Sequence, residues 1–528
     1  MTIQNSVVLD GRSLSLDNVV AVARGGATVS LSPGAREHLV RVREVVDGIV
    51  ARNEVVYGIT TGFGKLSDVA IPPNRLAELQ VNLVRSHSAG VGEPLAESET
   101  RAMMLLRANV LARGHSGIRP LVVECLIAML NAGLYPPIPE QGSVGASGDL
   151  APLSHLALGL IGEGRMRRRG GADAGDAADV LRAAGIEPVS LAPKEGLALV
   201  NGTQAHTALA ALALHDARIL WSTAHVTGAA TLEALLGTPV AFDERIHAVR
   251  GQIGQLQSAA LLRALLDGSA IRESHRINDP RVQDAYSLRC MPQVHGPVFD
   301  VLGFASGVIA RELNAATDNP LVFDDGAMLS GGNFHGLSVG MVCDFLAIAL
   351  TNIAVMAERR IDRLVHPDLN EGLPAFLTSD AGVNSGFMIA QISAAAIASE
   401  CKGLSHPATV DSIPTDGGKE DVVPMSMRAA VKLRRVVENV RNVLSIEALC
   451  AMQGLDFRRP LRSSAAIERA HRALRSVVPK LERDRFLAPD IAAASTLIAS
   501  GVFATIATDL VPDLFLAPND VPIASARA

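Results

Sequence analysis

Ala146-Ser147-Gly148 is a run of three small residues, closely preceded by Gly142 and Gly145. Such a backbone can fold sharply back on itself, because glycine has no Cβ to forbid the bend. In a tight bend the amide nitrogen of Gly148 can approach the carbonyl carbon of Ala146. Attack there with loss of water closes a five-membered ring, and loss of the Ser147 hydroxyl then leaves an exocyclic methylidene. The product is an electrophile, a reactivity that ordinary side chains lack and that enzymes usually take from cofactors. Ala-Ser-Gly alone is common, so a plain turn before a helix is the competing reading. A phosphate loop is not supported: no Lys-Ser/Thr follows the last glycine, and no dinucleotide-binding spacing is present.

Further residues have types suited to chemistry on a small polar substrate. Tyr57 opens Tyr57-Gly58-Ile59-Thr60-Thr61-Gly62-Phe63-Gly64, and the chain has only two other tyrosines, Tyr135 and Tyr286. Glycine-rich loops placed by a scaffold often carry function, although a packing tyrosine in a turn is the simpler reading. A free phenol has a pKa of about 10, so a basic tyrosine needs nearby positive charge or dipoles. Arg289 offers a rigid donor fork suited to a carboxylate. Asn201 is either the cap of the helix that follows it or a polar contact. His87 near a helix end, His335 in Gly332-Asn333-Phe334-His335, and Glu420 after Asp416-Gly417-Gly418 each have an ordinary structural role as the alternative.

The run from Gly142 to His155 resembles the signature of the ammonia-lyase family that includes histidine, phenylalanine and tyrosine ammonia-lyases. At least six motifs between about Val7 and Gly501 agree, among them the Tyr57 loop, Glu195 to Thr203, Gln283 to Gln293 and Gly332 to His335. The resemblance implies that Ala146, Ser147 and Gly148 cyclise to 4-methylidene-imidazol-5-one (MIO), with no external cofactor and no metal. It implies Tyr57 as catalytic base, Asn201 at the ring and departing amine, and Arg289 at the substrate carboxylate. Gln283, Tyr286 and Phe334 would line the site, with Tyr286 also catalytic, organising the amine and the ring charge together with Asn201. His87 would read the side chain, and Glu420 stands where histidine-acting members carry glutamate. The expected reaction is non-oxidative elimination of ammonia from L-histidine to urocanate. The alternative is a tyrosine or phenylalanine ammonia-lyase, or a 2,3-aminomutase, on the same scaffold. Lys419 and Pro424 depart from the residues usual at those places, glutamine and serine, which bears on substrate choice.

These residues need a frame. Apolar types make up 48% of the 528 residues but aromatics only 3%, so the core is Ala, Leu, Val and Ile, which favours close-packed helices. Mostly α architecture is expected: a mixed, helical N-terminal domain over 1–200 carrying the prosthetic loop, then a bundle of long helices over 201–528. Asp149 is expected to cap the helix after the loop, with Pro152 in its first turn, so that the loop meets the positive end of a helix dipole. Val7 to Leu16 reads as a hairpin turning at Asp10-Gly11, Glu97 to Ala132 as continuous helical periodicity, and Gly162 to Asp179 as a mobile surface loop. Long Ala/Leu helices need neighbours to cover them, and the resemblance implies a homotetramer with sites shared between chains. A net charge of −6 gives no reason to expect nucleic acid or a membrane surface as partner. The five scattered cysteines form no Cys-x-x-Cys pair, which fits a reducing cytoplasm. Met1 to Asn18 carries no signal-peptide pattern, and the apolar stretches are broken by polar residues such as Asp344 and Asn352. No His-x-His or His-Glu-x-x-His spacing supports a metal hydrolase.

Overall fold

The structure is a computed structural model that describes residues 5–279, 281–512 and 515. The first four residues of the N-terminal stretch lie outside the described residues. So does the tail beyond Pro512 apart from Phe515. The fold is mostly helical, with a few small sheets. Contacts divide the chain into two units. One comprises Met1–Ala213, Gly307–Asp344 and Pro407–Val431, the other Leu214–Ser306, Phe345–His406 and Lys432–Ala528.

The first unit starts with the strand Ser6–Leu9. It pairs in parallel with Thr28–Leu31 and does not turn into a hairpin. The reason is local: Asp10 Oδ1 accepts from the N–H groups of Arg12 and Ser13, and Ser15 then caps the helix Leu16–Val20. Those residues are taken by a turn and a helix, so they cannot form the return strand. Ser32 caps the helix Pro33–Ala51 by accepting from Ala35 N, with proline in the first turn. The apolar periodicity after Glu97 is two helices, Glu97–Ala112 and Pro120–Asn131. Gly114 and Gly117, both at positive φ, end the first, and Pro120 opens the second. The segment 162–179 is an ordered hairpin, not a mobile loop: Arg165–Arg168 pairs antiparallel with Asp173–Asp176. Arg165 forms ion pairs to Asp173 and Asp176, so the arginines are matched by the acids that follow them.

The second unit is built on the greater part of four long helices, Gln204–Ala234, Met291–Glu312, Leu337–Val365 and Ser426–Phe457, together with Met388–Leu404 and shorter elements. Its interior contains charge as well as Leu, Ala and Ile. Arg360 is fully buried and bonded to Glu447, whose oxygens also accept from Thr227 and Thr231. A buried pair of this kind persists because every lone pair finds a donor. Leu337–Val365 is the one described helix that is long and apolar enough to cross a membrane, and 72% of its apolar window is buried within the protein. The five cysteines are unpaired.

Candidate active site

The tripeptide lies directly before the helix Leu150–Leu160. Asp149 sits at the cap position, yet its side chain makes no cap bond there. Instead Oδ2 accepts from the N–H groups of Ala205 and His206, both at 2.9 Å, and approaches His206 Nδ1 at 2.8 Å. Oδ1 accepts from Ser143 Oγ at 2.8 Å. Asp149 therefore caps a different helix, Gln204–Ala234, and ties the loop to its first turn. A fully buried carboxylate goes where it gains most donors, and that helix end supplies two backbone N–H groups at once.

Gly148 is held from the opposite side. It lies at φ +72° and forms a β-bridge with Gly202, whose carbonyl accepts from Asp149 N at 2.7 Å. A Cβ on Gly148 would collide with that carbonyl, so only glycine fits. Asn201 ends the helix Glu195–Val200. Its side chain donates from Nδ2 to the Ser147 carbonyl at 2.8 Å and does not cap the next helix. Only 4% of Asn201 is exposed, and its Oδ1 is buried without a hydrogen-bond partner.

A cleft of about 460 Å³ opens over this loop. Tyr57, Ala146, Ser147, Phe334 and Glu420 are among its walls, and so are Asn319, Asp416, Lys419 and Asp421. One Glu420 oxygen accepts from Ser147 Oγ and the other from Thr415 Oγ1. No ion pair joins Glu420 to Lys419 among the described residues. Tyr57 is held above the ordinary phenol pKa. Burial is the largest cause, the carboxylates of Asp416, Asp318 and Glu420 add to it, and a hydrogen bond from the Gly64 backbone opposes it. The positive surroundings that a basic tyrosine needs are therefore not supplied around Tyr57 by this chain. His87 ends the helix Leu76–His87, with Nδ1 3.0 Å from Ser86 Oγ. It is not a wall of the cleft, although Asp416 and Glu420 act on it electrostatically. Burial is the dominant influence and lowers its pKa, so it is neutral near pH 7. His335 keeps a structural bond, Nε2 to the Val422 carbonyl at 3.3 Å, while also lining the cleft.

Gln283, Tyr286 and Arg289 belong to the second unit and are not walls of the cleft. Tyr286 and Arg289 lie on the short helix Tyr286–Arg289, and the Arg289 guanidinium stacks 4.5 Å from the centre of the Tyr286 ring. Tyr286 is 68% exposed, and Arg289 Nε is buried without a partner. Sequence reasoning missed Asp416 and Asn319 as cleft residues. Asp416 accepts from Lys65 N at 3.2 Å and sits at φ +48°, a conformation that the following Gly417-Gly418 hints at but does not reveal. Asn319 accepts from Gly331 N at 2.8 Å and so fixes the loop leading to Phe334.

Residues 14–476 match the family model for aromatic amino acid lyases. The chain is 54% identical over 512 residues to a histidine ammonia-lyase of Koribacter versatilis, covering 94% of this chain and 99% of that protein. Among solved structures it is similar to histidine ammonia-lyase from Trypanosoma cruzi, with a TM-score of 0.89, 46% identity and 97% of each chain covered. It is also similar to tyrosine aminomutase from Streptomyces globisporus, with a TM-score of 0.90 and 39% identity over 95% of this chain and 98% of that one.

Proposed function

The chain belongs to the aromatic amino acid lyase family, and from that premise we propose that it is a histidine ammonia-lyase, eliminating ammonia from L-histidine to give urocanate. The observation that carries this reading is the 54% identity to a histidine ammonia-lyase over nearly the full length of both chains. Fold alone does not separate the substrates, since the tyrosine aminomutase superposes equally well at lower identity.

The prosthetic group is the MIO ring formed from Ala146, Ser147 and Gly148. The loop fits it: the collision awaiting a Cβ at Gly148 leaves a glycine-only space, and the Ser147 carbonyl already has a donor in Asn201. The ring supplies an electrophile to a substrate whose amine is a poor leaving group and whose β-proton is barely acidic. Asn201 Nδ2 stabilises charge on the oxygen it already grips, and Asn201 Oδ1 is the acceptor left for the departing amine. Tyr57 removes the β-proton. Because its surroundings disfavour the phenolate, the charge that makes it basic arrives with the substrate ammonium, drawn in by Glu420, Asp416 and Asp421. Phe334 packs on substrate and ring. Glu420 meets the imidazole or the amine, whose polar atoms need partners once buried, and His87, which lies off the cleft wall, is placed at the side chain by the resemblance alone.

Arg289 binds the substrate carboxylate, with Tyr286 and Gln283 beside it. They come from a neighbouring chain of a homotetramer. The exposure of Tyr286 and the unpartnered Nε of Arg289 support a surface completed by another copy. The unpaired cysteines agree with a cytoplasmic location.

Incubating purified protein with histidine, tyrosine and phenylalanine and comparing kcat/KM tests this, with the product identified in each case. Histidine should lead, then tyrosine, then phenylalanine, and urocanate should form. Preference for tyrosine, or a β-amino acid as the product, would reassign the enzyme within its family.

A further inference from the structure

Behind Asn201 lies a charge that the reaction as described does not use. Arg107, on the helix Glu97–Ala112, is fully buried. Its Nη1 donates to the Asn201 carbonyl at 2.9 Å and to Gln204 Oε1, and its Nη2 donates to the Ala198 carbonyl. Gln204 is fixed in turn, since its Nε2 donates to Thr317 Oγ1 at 2.9 Å. Burial pulls the Arg107 pKa down to about 10, with Asp318 opposing, so the group is cationic at neutral pH. Asp318 is itself bonded to the buried Lys194 at 3.1 Å, which leaves carbonyl and amide oxygens as the hydrogen-bond partners of Arg107. A guanidinium buried without a carboxylate of its own is costly, and carbonyls at the C-terminal end of a helix are the neutral groups that best repay it.

What the guanidinium holds is the turn that grips the tripeptide. Ala198 and Asn201 bracket the end of the helix Glu195–Val200, and Gly202 follows at φ +152° with its backbone against Arg107, where a Cβ would strike the guanidinium. From this turn the Asn201 amide reaches the Ser147 carbonyl, and the Gly202 carbonyl takes the Asp149 N–H beside Gly148. One buried side chain thus fixes both groups that clamp the loop.

We infer that Arg107 is a positioning residue for formation of the electrophile: it locks the Ala198–Gln204 turn so that Asn201 and Gly202 hold Ser147 and Gly148 in the ring-closing bend. The inference rests on the proposed cyclisation of the tripeptide. In that step the Gly148 nitrogen bonds to the Ala146 carbonyl carbon. The first water carries away the Ala146 oxygen with the amide protons of Gly148 and Ser147. The second carries away the Ser147 hydroxyl with its Cα proton.

The test is intact-mass analysis of the full-length parent, Arg107→Met and Arg107→Lys, with fold checked by circular dichroism and assembly by size. The parent should lack the mass of two waters. In folded Arg107→Met dehydration should be slower by roughly tenfold or more, the factor that one lost charge-assisted hydrogen bond represents, leaving an undehydrated pool that the parent lacks. Arg107→Lys keeps the charge without the fork and should give a mixed pool, its kcat falling with the dehydrated fraction while KM stays near the parent value. A folded Arg107→Met with full water loss overturns the inference. If Arg107→Met does not fold, a folded Arg107→Lys with the parent mass overturns it equally. A parent of unmodified mass would instead overturn the cyclisation itself.

Discussion

Asp416→Asn isolates the electrostatics of the proposed base. Gly64 donates its backbone N–H to Tyr57, and the next residue, Lys65, donates its own to Asp416. The Asp416 carboxylate therefore lies one residue from the single hydrogen bond that favours the Tyr57 phenolate. Among the charges that raise the Tyr57 pKa, Asp416 is the largest, after burial. Asparagine keeps an acceptor for Lys65 N–H and tolerates φ near +48°, so the substitution removes charge and little else. A neighbouring like charge disfavours the phenolate. The sign is fixed: Tyr57 must be deprotonated to act, and removing a negative neighbour lowers its pKa. The parent's activity should rise with pH along a limb set by Tyr57, whose phenol is held above its ordinary value by burial and by its carboxylate neighbours. In Asp416→Asn the alkaline limb should move to lower pH, giving more phenolate at a given pH below it. The assay is kcat/KM and kcat against pH in both enzymes. The substrate ammonium titrates in the same range but does so identically for both, so the difference belongs to the protein. An unshifted limb would refute the coupling. A limb that survives in Tyr57→Phe, or a loss there far below the hundred- to ten-thousand-fold that general bases typically contribute, would refute Tyr57 as the base.

Two further outcomes follow from the same cleft. Glu420→Gln should lower kcat/KM for histidine by roughly ten- to a hundredfold, the range for one lost charged hydrogen bond, and should damage any tyrosine turnover less. Unchanged histidine turnover would remove Glu420 from substrate recognition. Mixing inactive Tyr57→Phe and Arg289→Ala chains under conditions of subunit exchange should restore part of the activity if the two residues meet across chains. Verified hybrids without recovery would place both on one chain.

Much of this was legible in the sequence because glycine, proline and rare residue types mark backbone geometry directly. The Ala146-Ser147-Gly148 bend and the helical class followed from local rules. Pairings over long distances did not. Asp149 carries the local signature of a cap for its own helix, and only the folded chain shows that it caps one starting at Gln204. Val7 to Leu16 looked like a hairpin because Asp10-Gly11 is a turn signal, but a turn does not name its strand partner, and Thr28–Leu31 took that place. Asp416 was hidden for the same reason: its bond to Lys65 spans 351 residues. Arg107 lies within a helical run where nothing distinguishes a buried guanidinium from a surface one.

The charge on the cleft walls bears on the proposed assembly. Asp416, Glu420 and Asp421 face the space, and Lys419 is the one lysine or arginine among its described walls. Such a surface attracts the ammonium of an amino acid and repels its carboxylate. The two ends of one substrate therefore make opposite demands, and a single chain's cleft answers the first far better than the second. Lys419 offers a mobile point charge, whereas Arg289 offers a planar fork that its stacking on Tyr286 already orients. On the proposed reading, that fork comes from a neighbouring chain and satisfies the carboxylate, while Glu420, Asp416 and Asp421 are left to the ammonium. The raised Tyr57 pKa belongs to a cleft that holds neither that fork nor the substrate ammonium, the two positive charges that the proposed reading brings to it.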